Sequence, residues 1–200
     1  MAEFETLPDI LGPNLKLVFC GINPSLYAVA RGHYFARKQN RFWPAFSRST
    51  LSLPIRQGLG VAELLPEHDR EFPRFGFGLT DVVKVPSASA SSLRPSDLAE
   101  WAPRLHQKLV ASAPRVICFQ GMMSFRPFAQ YALGVDPAKL ELGLQPLRLG
   151  ETRLFCTPNP SAANARYRPE DYVAWFDRLD LLLTELALAE TLSRPGASRH

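Results

Sequence analysis

Residues 17–25, Leu-Val-Phe-Cys-Gly-Ile-Asn-Pro-Ser, constrain the fold of this chain more than any other stretch. An apolar run stops at Gly21, an amide follows at Asn23, and Pro24 stiffens the backbone. In an α/β protein a buried parallel strand delivers a polar group to the rim of its sheet in this way. Residues 154–161, Leu-Phe-Cys-Thr-Pro-Asn-Pro-Ser, repeat the pattern. Two strand ends that each present Asn-Pro-Ser predict one cleft with two walls.

The rest of the chain supplies strands and helices in alternation. Residues 15–20 read as the first strand, followed by a polar, aromatic loop to about Arg41. Asn40 is placed to cap a helix starting near Arg41, with Pro44 in its first turn and Phe42 and Phe46 facing the core. Residues 61–65 are expected to form a short helix and residues 66–74 a charged loop. Residues 79–83, with Asp81 among them, read as extended, and the Ser- and Ala-rich residues 86–95 as a flexible loop. Ser96 is expected to cap a helix whose apolar stripe is Leu98, Trp101, Leu105 and Leu109, with Pro103 near its start or at a kink. Residues 115–119 form the predicted central strand, ending at Gln120-Gly121, and residues 122–133 a helix broken near Pro127. Strands at 147–149 and 153–156 flank a Gly150-Glu151 turn. The last helix starts at Pro169, with Tyr172, Phe176, Leu179, Leu183 and Leu186 on its buried stripe.

This alternation predicts a three-layer α/β/α sandwich with a central, mainly parallel sheet. One domain over residues 1–192 and a disordered tail at 193–200 are expected. Ligands of such sheets bind beyond the carboxyl ends of the strands. The loops after Gly21, Gln120 and Thr157 are therefore the functional ones by topology.

Composition narrows the chemistry. Cys20, Cys118 and Cys156 are odd in number and lie inside apolar runs, and the four histidines are scattered. Reduced core thiols and no metal or other cofactor are expected. No apolar run approaches the ~20 residues that span a bilayer. The first 14 residues are acidic without an apolar signal core. A cytoplasmic protein without a membrane partner is expected. A net charge of +4 permits a polyanionic partner. There is no phosphate-loop glycine motif and no Gly-x-Ser-x-Gly elbow. The lead loop offers an amide instead. Asn23 cannot act as a base at neutral pH, but it can orient a water. That suits cleavage of a glycosidic bond, where the leaving group departs first through an oxocarbenium-like transition state. Phe35 offers a stacking face for a flat ligand, and a nearby backbone N–H can bond its oxygen.

Four ordered blocks carry a family resemblance: Gly21-Ile-Asn-Pro, Gly32-His-Tyr-Phe-Ala, Asn40-Arg-Phe-Trp, and Asn159-Pro-Ser with Arg166. Together they resemble the mismatch-specific uracil-DNA glycosylases, relatives of thymine-DNA glycosylase. The resemblance runs from about Ile10 to Leu183 and is weak between residues 48 and 76. It implies a cofactor-independent monomeric enzyme that flips uracil, or a related damaged pyrimidine, out of DNA and hydrolyses its N-glycosidic bond. It assigns water positioning to Asn23 and base stacking to Phe35. Gly21, Ile22, Pro24, Ser25 and Asn40 would line the base pocket. Asn159, Pro160, Ser161, Ala162, Ala163, Asn164 and Arg166 would enter the duplex or hold its backbone.

The chain departs from the pattern at three places. Ser25 stands where many members have Gly, and its hydroxyl either narrows the pocket or bonds the base. Residues 162–165, Ala-Ala-Asn-Ala, replace a bulkier Leu wedge. Asp81 is an acid that, facing the cleft, would supply the base that Asn23 cannot be; a surface or turn role competes with this. Lys84 is open between a Schiff-base amine and a phosphate contact, Arg41 between a phosphate contact and a solvated surface position, and Gln120 between lining the pocket and capping a helix. A non-catalytic damaged-base binder of the same fold, a glycosylase for another deaminated or alkylated base, and a small-molecule nucleoside hydrolase remain alternatives.

Overall fold

The structure, a computed structural model, describes residues 5–193. Its centre is a five-stranded sheet: β1 (Leu17–Gly21), β2 (Phe77–Asp81), β3 (Val116–Gln120), β4 (Gly143–Leu149) and β5 (Thr152–Thr157). The order is β2-β1-β3-β5-β4, with β4 alone antiparallel. The helices are α1 (Leu26–Arg31), α2 (Phe42–Arg48), α3 (Leu53–Leu59), α4 (Pro95–Ser112), α5 (Met122–Leu133) and α6 (Pro169–Ser193).

Every residue of β1, β2 and β3 is buried, because layers cover both faces of the sheet. Leu17 and Phe19 of β1 point into one core with Phe42 and Phe46 of α2 and Tyr172, Phe176 and Leu179 of α6. Cys20 points the other way, joining Leu105 and Leu109 of α4 and Phe125 and Phe128 of α5. The alternation within one five-residue strand thus builds two cores, and the expected three-layer sandwich is the observed fold. Phe19 is the hub of the first core, meeting Phe42 and Phe46 edge-to-face at 5.0 and 5.6 Å.

Several local expectations are corrected. Residues 61–65 are not helical; the helix in this region is α3, which buries only Ile55 and so has no readable stripe. Residues 66–74 are not an irregular loop but part of a run of 3-10 turns, Pro66–Phe75. Ser96 does not cap α4. Arg94 precedes the helix, and the Asp97 carboxylate accepts from the Arg94 N–H at 2.9 Å. Pro103 and Pro127 lie within continuous helices. The β4–β5 hairpin is longer than predicted and turns at Gly150, whose φ of 58° suits glycine. Helix α6 runs through Ser193, one residue into the expected tail; residues 194–200 lie outside the described residues. Among the described residues, no helix is long and apolar enough to cross a membrane.

Candidate active site

The carboxyl ends of β1, β2, β3 and β5 open into a cleft of about 1360 Å³. The residues assigned to pocket, catalysis and DNA contact by the resemblance, with Asp81, line it: residues 21–25, Phe35, Asn40, Asp81, residues 159–164 and Arg166; Arg41 and Lys84 do not. Their convergence follows from topology, since β1 lies between β2 and β3 and delivers Gly21 beside Asp81 in register.

Asn23 is held by the loop after β2. Its side-chain N–H2 donates to the Val85 carbonyl at 3.0 Å and to Ser87 Oγ at 2.8 Å. The Val85 carbonyl fixes the orientation, because the reversed amide would set two acceptors against each other. Both N–H hydrogens are therefore committed, and Oδ1 is left as an acceptor for a water.

Phe35 sits opposite with φ of 54°. A left-handed phenylalanine costs on the order of 1–2 kcal/mol, so the surroundings must impose it. They do so through Asp69, buried in the Pro66–Phe75 run. One of its oxygens accepts from the Tyr34 N–H at 2.9 Å and the other pairs with His33 Nδ1 at 3.0 Å. Trp43 Nε1 donates to the Tyr34 carbonyl at 2.8 Å. The Phe35 ring stacks on Phe42 at 4.3 Å and 24°, which leaves its other face for a flat ligand.

Asp81, the last residue of β2, is buried and lines the cleft. A methyl group at Gly21 would overlap Asp81 Oδ1 and lie 3.6 Å from the Phe35 ring, which is why the strand must end in glycine. Asp81 Oδ2 has no hydrogen-bond partner. Burial pushes this carboxyl up to about 7; the positive charge of Lys84 works against that rise and the negative charge of Asp9 adds to it. Asp81 is thus neither a surface residue nor a turn former. It is a carboxyl of near-neutral proton affinity at the cleft floor, where a general base works best.

The second wall is a self-bonded loop. Asn159 Oδ1 accepts from the Ser161 N–H at 2.9 Å, and Asn164 Nδ2 donates to the Asn159 carbonyl at 3.0 Å. The Arg41 guanidinium donates to the carbonyls of Ser161 at 3.1 Å and Asn164 at 2.7 Å, and the Arg41 N–H to that of Pro160 at 2.9 Å. Arg41 is therefore a brace between the two walls. Gly121 permits close approach of the walls from below: its φ is 108°, and a Cβ there would lie 2.6 Å from Asn159 Cβ. Ala162, Ala163 and Arg166 form the exposed part of the loop.

Three other assignments are sharpened. Ser25 Oγ accepts from the Ala28 N–H at 3.1 Å and caps α1, so a helix start accounts for the departure from glycine. Asn40 is not the N-cap of α2, a position held by Arg41; its Oδ1 accepts from the Phe42 N–H at 2.8 Å in the turn just before the helix, and Asn40 lines the cleft. Gln120 is buried at the cleft floor with its Oε1 unpartnered, and it does not cap α5. Burial pushes the Cys20 and Cys118 thiols far above their usual range and Cys156 up to about 12, so all three are inert core thiols. No group of three or more His, Cys, Asp or Glu among the described residues is arranged to hold a metal ion.

Comparison with known proteins agrees with this geometry. The family model of the Uracil DNA glycosylase superfamily matches residues 8–180. Among solved structures, the chain resembles a candidate uracil DNA glycosylase from Methanosarcina acetivorans, known by solution NMR, at 18% identity and a TM-score of 0.52. That likeness covers 88% of this chain and 98% of the other and concerns the fold. With the match spanning the sheet, the cleft and both of its walls, this chain belongs to the uracil DNA glycosylase superfamily.

Proposed function

We propose that this protein excises uracil from DNA as a mismatch-directed, monofunctional glycosylase. The observation that carries the reading is the meeting of Asn23 Oδ1, the Asp81 carboxyl and the Phe35 ring in one cleft walled by the loop at residues 159–166. A stacked base cannot reach such a cleft, so the nucleotide is flipped into it. The base stacks on Phe35 while the backbone N–H groups of Ile22, Asn23 and Ser25 and of the Phe35 loop are the donors offered to its oxygens. The C1′–N1 bond breaks and its electron pair leaves with the base. A water aligned by Asn23 Oδ1 bonds to C1′, and its proton passes to the Asp81 carboxylate. The base departs as the uracil anion and takes a proton from solvent, so the products are free uracil and an abasic site, and Asp81 returns its proton to solvent before the next turnover. The buried carboxylate also stabilises positive charge on the sugar as the bond breaks.

The loop tip at Ala162 and Ala163 replaces the extruded base. Two small side chains fill little of the gap, so the tip holds the product weakly and adds little dependence on the opposite base; the preference for mismatches comes from the pair itself. A mismatched uracil costs less to unstack and is excised first. The test is release of free uracil from labelled duplexes carrying uracil opposite each base, with single strands and free deoxyuridine as comparisons. Release from U·G duplex, slower release from U·A and none from the free nucleoside is expected. Absence of release with retained binding would make the protein a damaged-base binder. Hydrolysis of free deoxyuridine would make it a nucleoside hydrolase.

A further inference from the structure

Behind Asp81 lies a charge cluster centred on the buried Lys84, and of its members only Tyr34 reaches the cleft wall. Lys84, three residues past the end of β2, is 6% exposed and is not a cleft-lining residue. It therefore neither contacts phosphate nor offers an amine to the sugar. Its ammonium donates to Tyr34 Oη at 3.0 Å and pairs with Asp9 Oδ1 at 2.9 Å. Asp81 Oδ2 stands 3.9 Å from it, beyond hydrogen-bond range. Asp9 is itself held from three sides. Thr80 Oγ1 donates to its Oδ1 at 2.7 Å, and Lys108 of α4 pairs with its Oδ2 at 2.6 Å. Tyr34 in turn donates to the Pro8 carbonyl at 3.0 Å.

We propose that Lys84 is a positioning residue for hydrolysis: Asp9 and Tyr34 clamp its ammonium behind Asp81, close enough to favour the carboxylate and too far to take its lone pairs. The distances carry this. Oδ2 faces Lys84 and is buried, while Oδ1 lies beside Gly21 at the cleft; a direct Lys84–Oδ2 hydrogen bond would hold the carboxylate as a structural ion pair and lower the proton affinity of Oδ1 with it. Without Lys84, burial and the Asp9 charge would both oppose ionisation. Burial raises the Asp9 carboxyl, but Lys84 and the hydrogen bonds from Lys108, Lys84 and Thr80 outweigh it and hold Asp9 below the usual range. Asp9 thus stays ionised and keeps hold of Lys84. The groups facing Asp81 are then Lys84 from the loop after β2, Asp9 from the N-terminal segment, Tyr34 from the loop before α2 and the inert Cys20 thiol from β1. Lys84 is the one cation among them.

The inference rests on Asp81 as the base, and its test separates the two claims. Single-turnover uracil excision is followed from pH 5 to 9 in wild type, Asp81→Asn, Lys84→Met, Lys84→Arg and Asp9→Asn, with melting temperatures checking each fold. Lys84→Met is expected to move the midpoint of the acid limb upward by about one pH unit, a roughly tenfold loss at pH 6 that is recovered near pH 9. Asp9→Asn removes a charge that opposes ionisation and frees Lys84 to approach Asp81, so its midpoint moves down. Lys84→Arg keeps the charge and its midpoint stays below that of Lys84→Met. Loosened packing alone would slow every variant without moving a midpoint, and unmoved midpoints, or a common direction for Lys84→Met and Asp9→Asn, would overturn the proposal. If Lys84→Met does not fold, the downward shift of Asp9→Asn decides by itself. Should Asp81→Asn work at wild-type speed, the assignment of Asp81 falls and that of Lys84 falls with it. A slow Asp81→Asn beside unseparated midpoints removes Lys84 alone.

Discussion

Asp81 is a carboxyl the fold keeps at a cost, and the cost has a pH signature. Its proton affinity rises from the ordinary carboxylate range to about 7 on folding. Between pH ~4 and ~7 the folded chain therefore binds a proton that the unfolded chain has released, and stability falls as pH rises through that window. Below the window the contribution is intact; above it the contribution is gone. Asp81→Asn lacks this loss. Its stability should match wild type within about 1 kcal/mol near pH 4 and exceed it by a few kcal/mol at pH 8, at up to ~1.4 kcal/mol per pH unit. Urea unfolding at the two pH values measures the gap, and a gap independent of pH would refute it. At this scale the sequence was informative for groups at strand ends and in motif-bearing loops. Asn23 stands next to a break in an apolar run, Asp81 is the lone acid of an extended apolar segment, and Phe35, in the loop before α2, was marked only by its aromatic face and its motif. Asp9 and Asp69 carried no such mark, because their partners are distant: Thr80 lies 71 residues from Asp9, and Tyr34 lies 35 from Asp69.

The loop at residues 159–166 and the aromatic loop before α2 behave as one element through Arg41. Its guanidinium satisfies two loop carbonyls while its backbone N–H satisfies a third. Arg41→Ala releases the tip without touching the base pocket. Affinity for an abasic-site duplex should fall about tenfold, equivalent to ~1.4 kcal/mol, while single-turnover excision at saturating enzyme changes by less than about threefold. Fluorescence anisotropy with the product duplex gives the first number, and unchanged affinity would remove the brace. Ala163→Leu acts oppositely by enlarging the tip. It should hold product several-fold more tightly and sharpen the dependence on the opposite base, whereas unchanged abasic-site affinity and mismatch preference would show that the tip does not fill the gap. Elements with a clear apolar period, α4 and α6 above all, were legible in advance. Helix α3 was not: Pro54 and Gly58 interrupt it and Ile55 alone is buried, so tertiary packing outweighs propensity there. The Pro66–Phe75 run escaped for a similar reason, although it carries the Asp69 that holds the Phe35 loop.

Across the whole molecule, one parallel sheet performs two tasks. Its buried strands separate two cores, and their carboxyl ends bring together groups drawn from distant segments of the chain. The two walls expected from the paired Asn-Pro-Ser motifs are both present, which is why the outline of the cleft was readable from residues 17–25 and 154–161. The charge cluster behind the floor was not, because it joins the N-terminal segment, β2, the Tyr34 loop and α4 at positions no local pattern connects. The central claim is a division of labour in which Asn23 aims the water and Asp81 takes its proton. The pH dependence of single-turnover uracil excision by wild type, Asn23→Ala and Asp81→Asn tests it most directly. The expected wild-type rate climbs about tenfold per pH unit toward a midpoint near 7 and then levels. Asn23→Ala should keep that midpoint at a rate lower by roughly 10²-fold or more, and Asp81→Asn should be slow and flat with pH. An Asp81→Asn enzyme that follows the wild-type curve would contradict the claim.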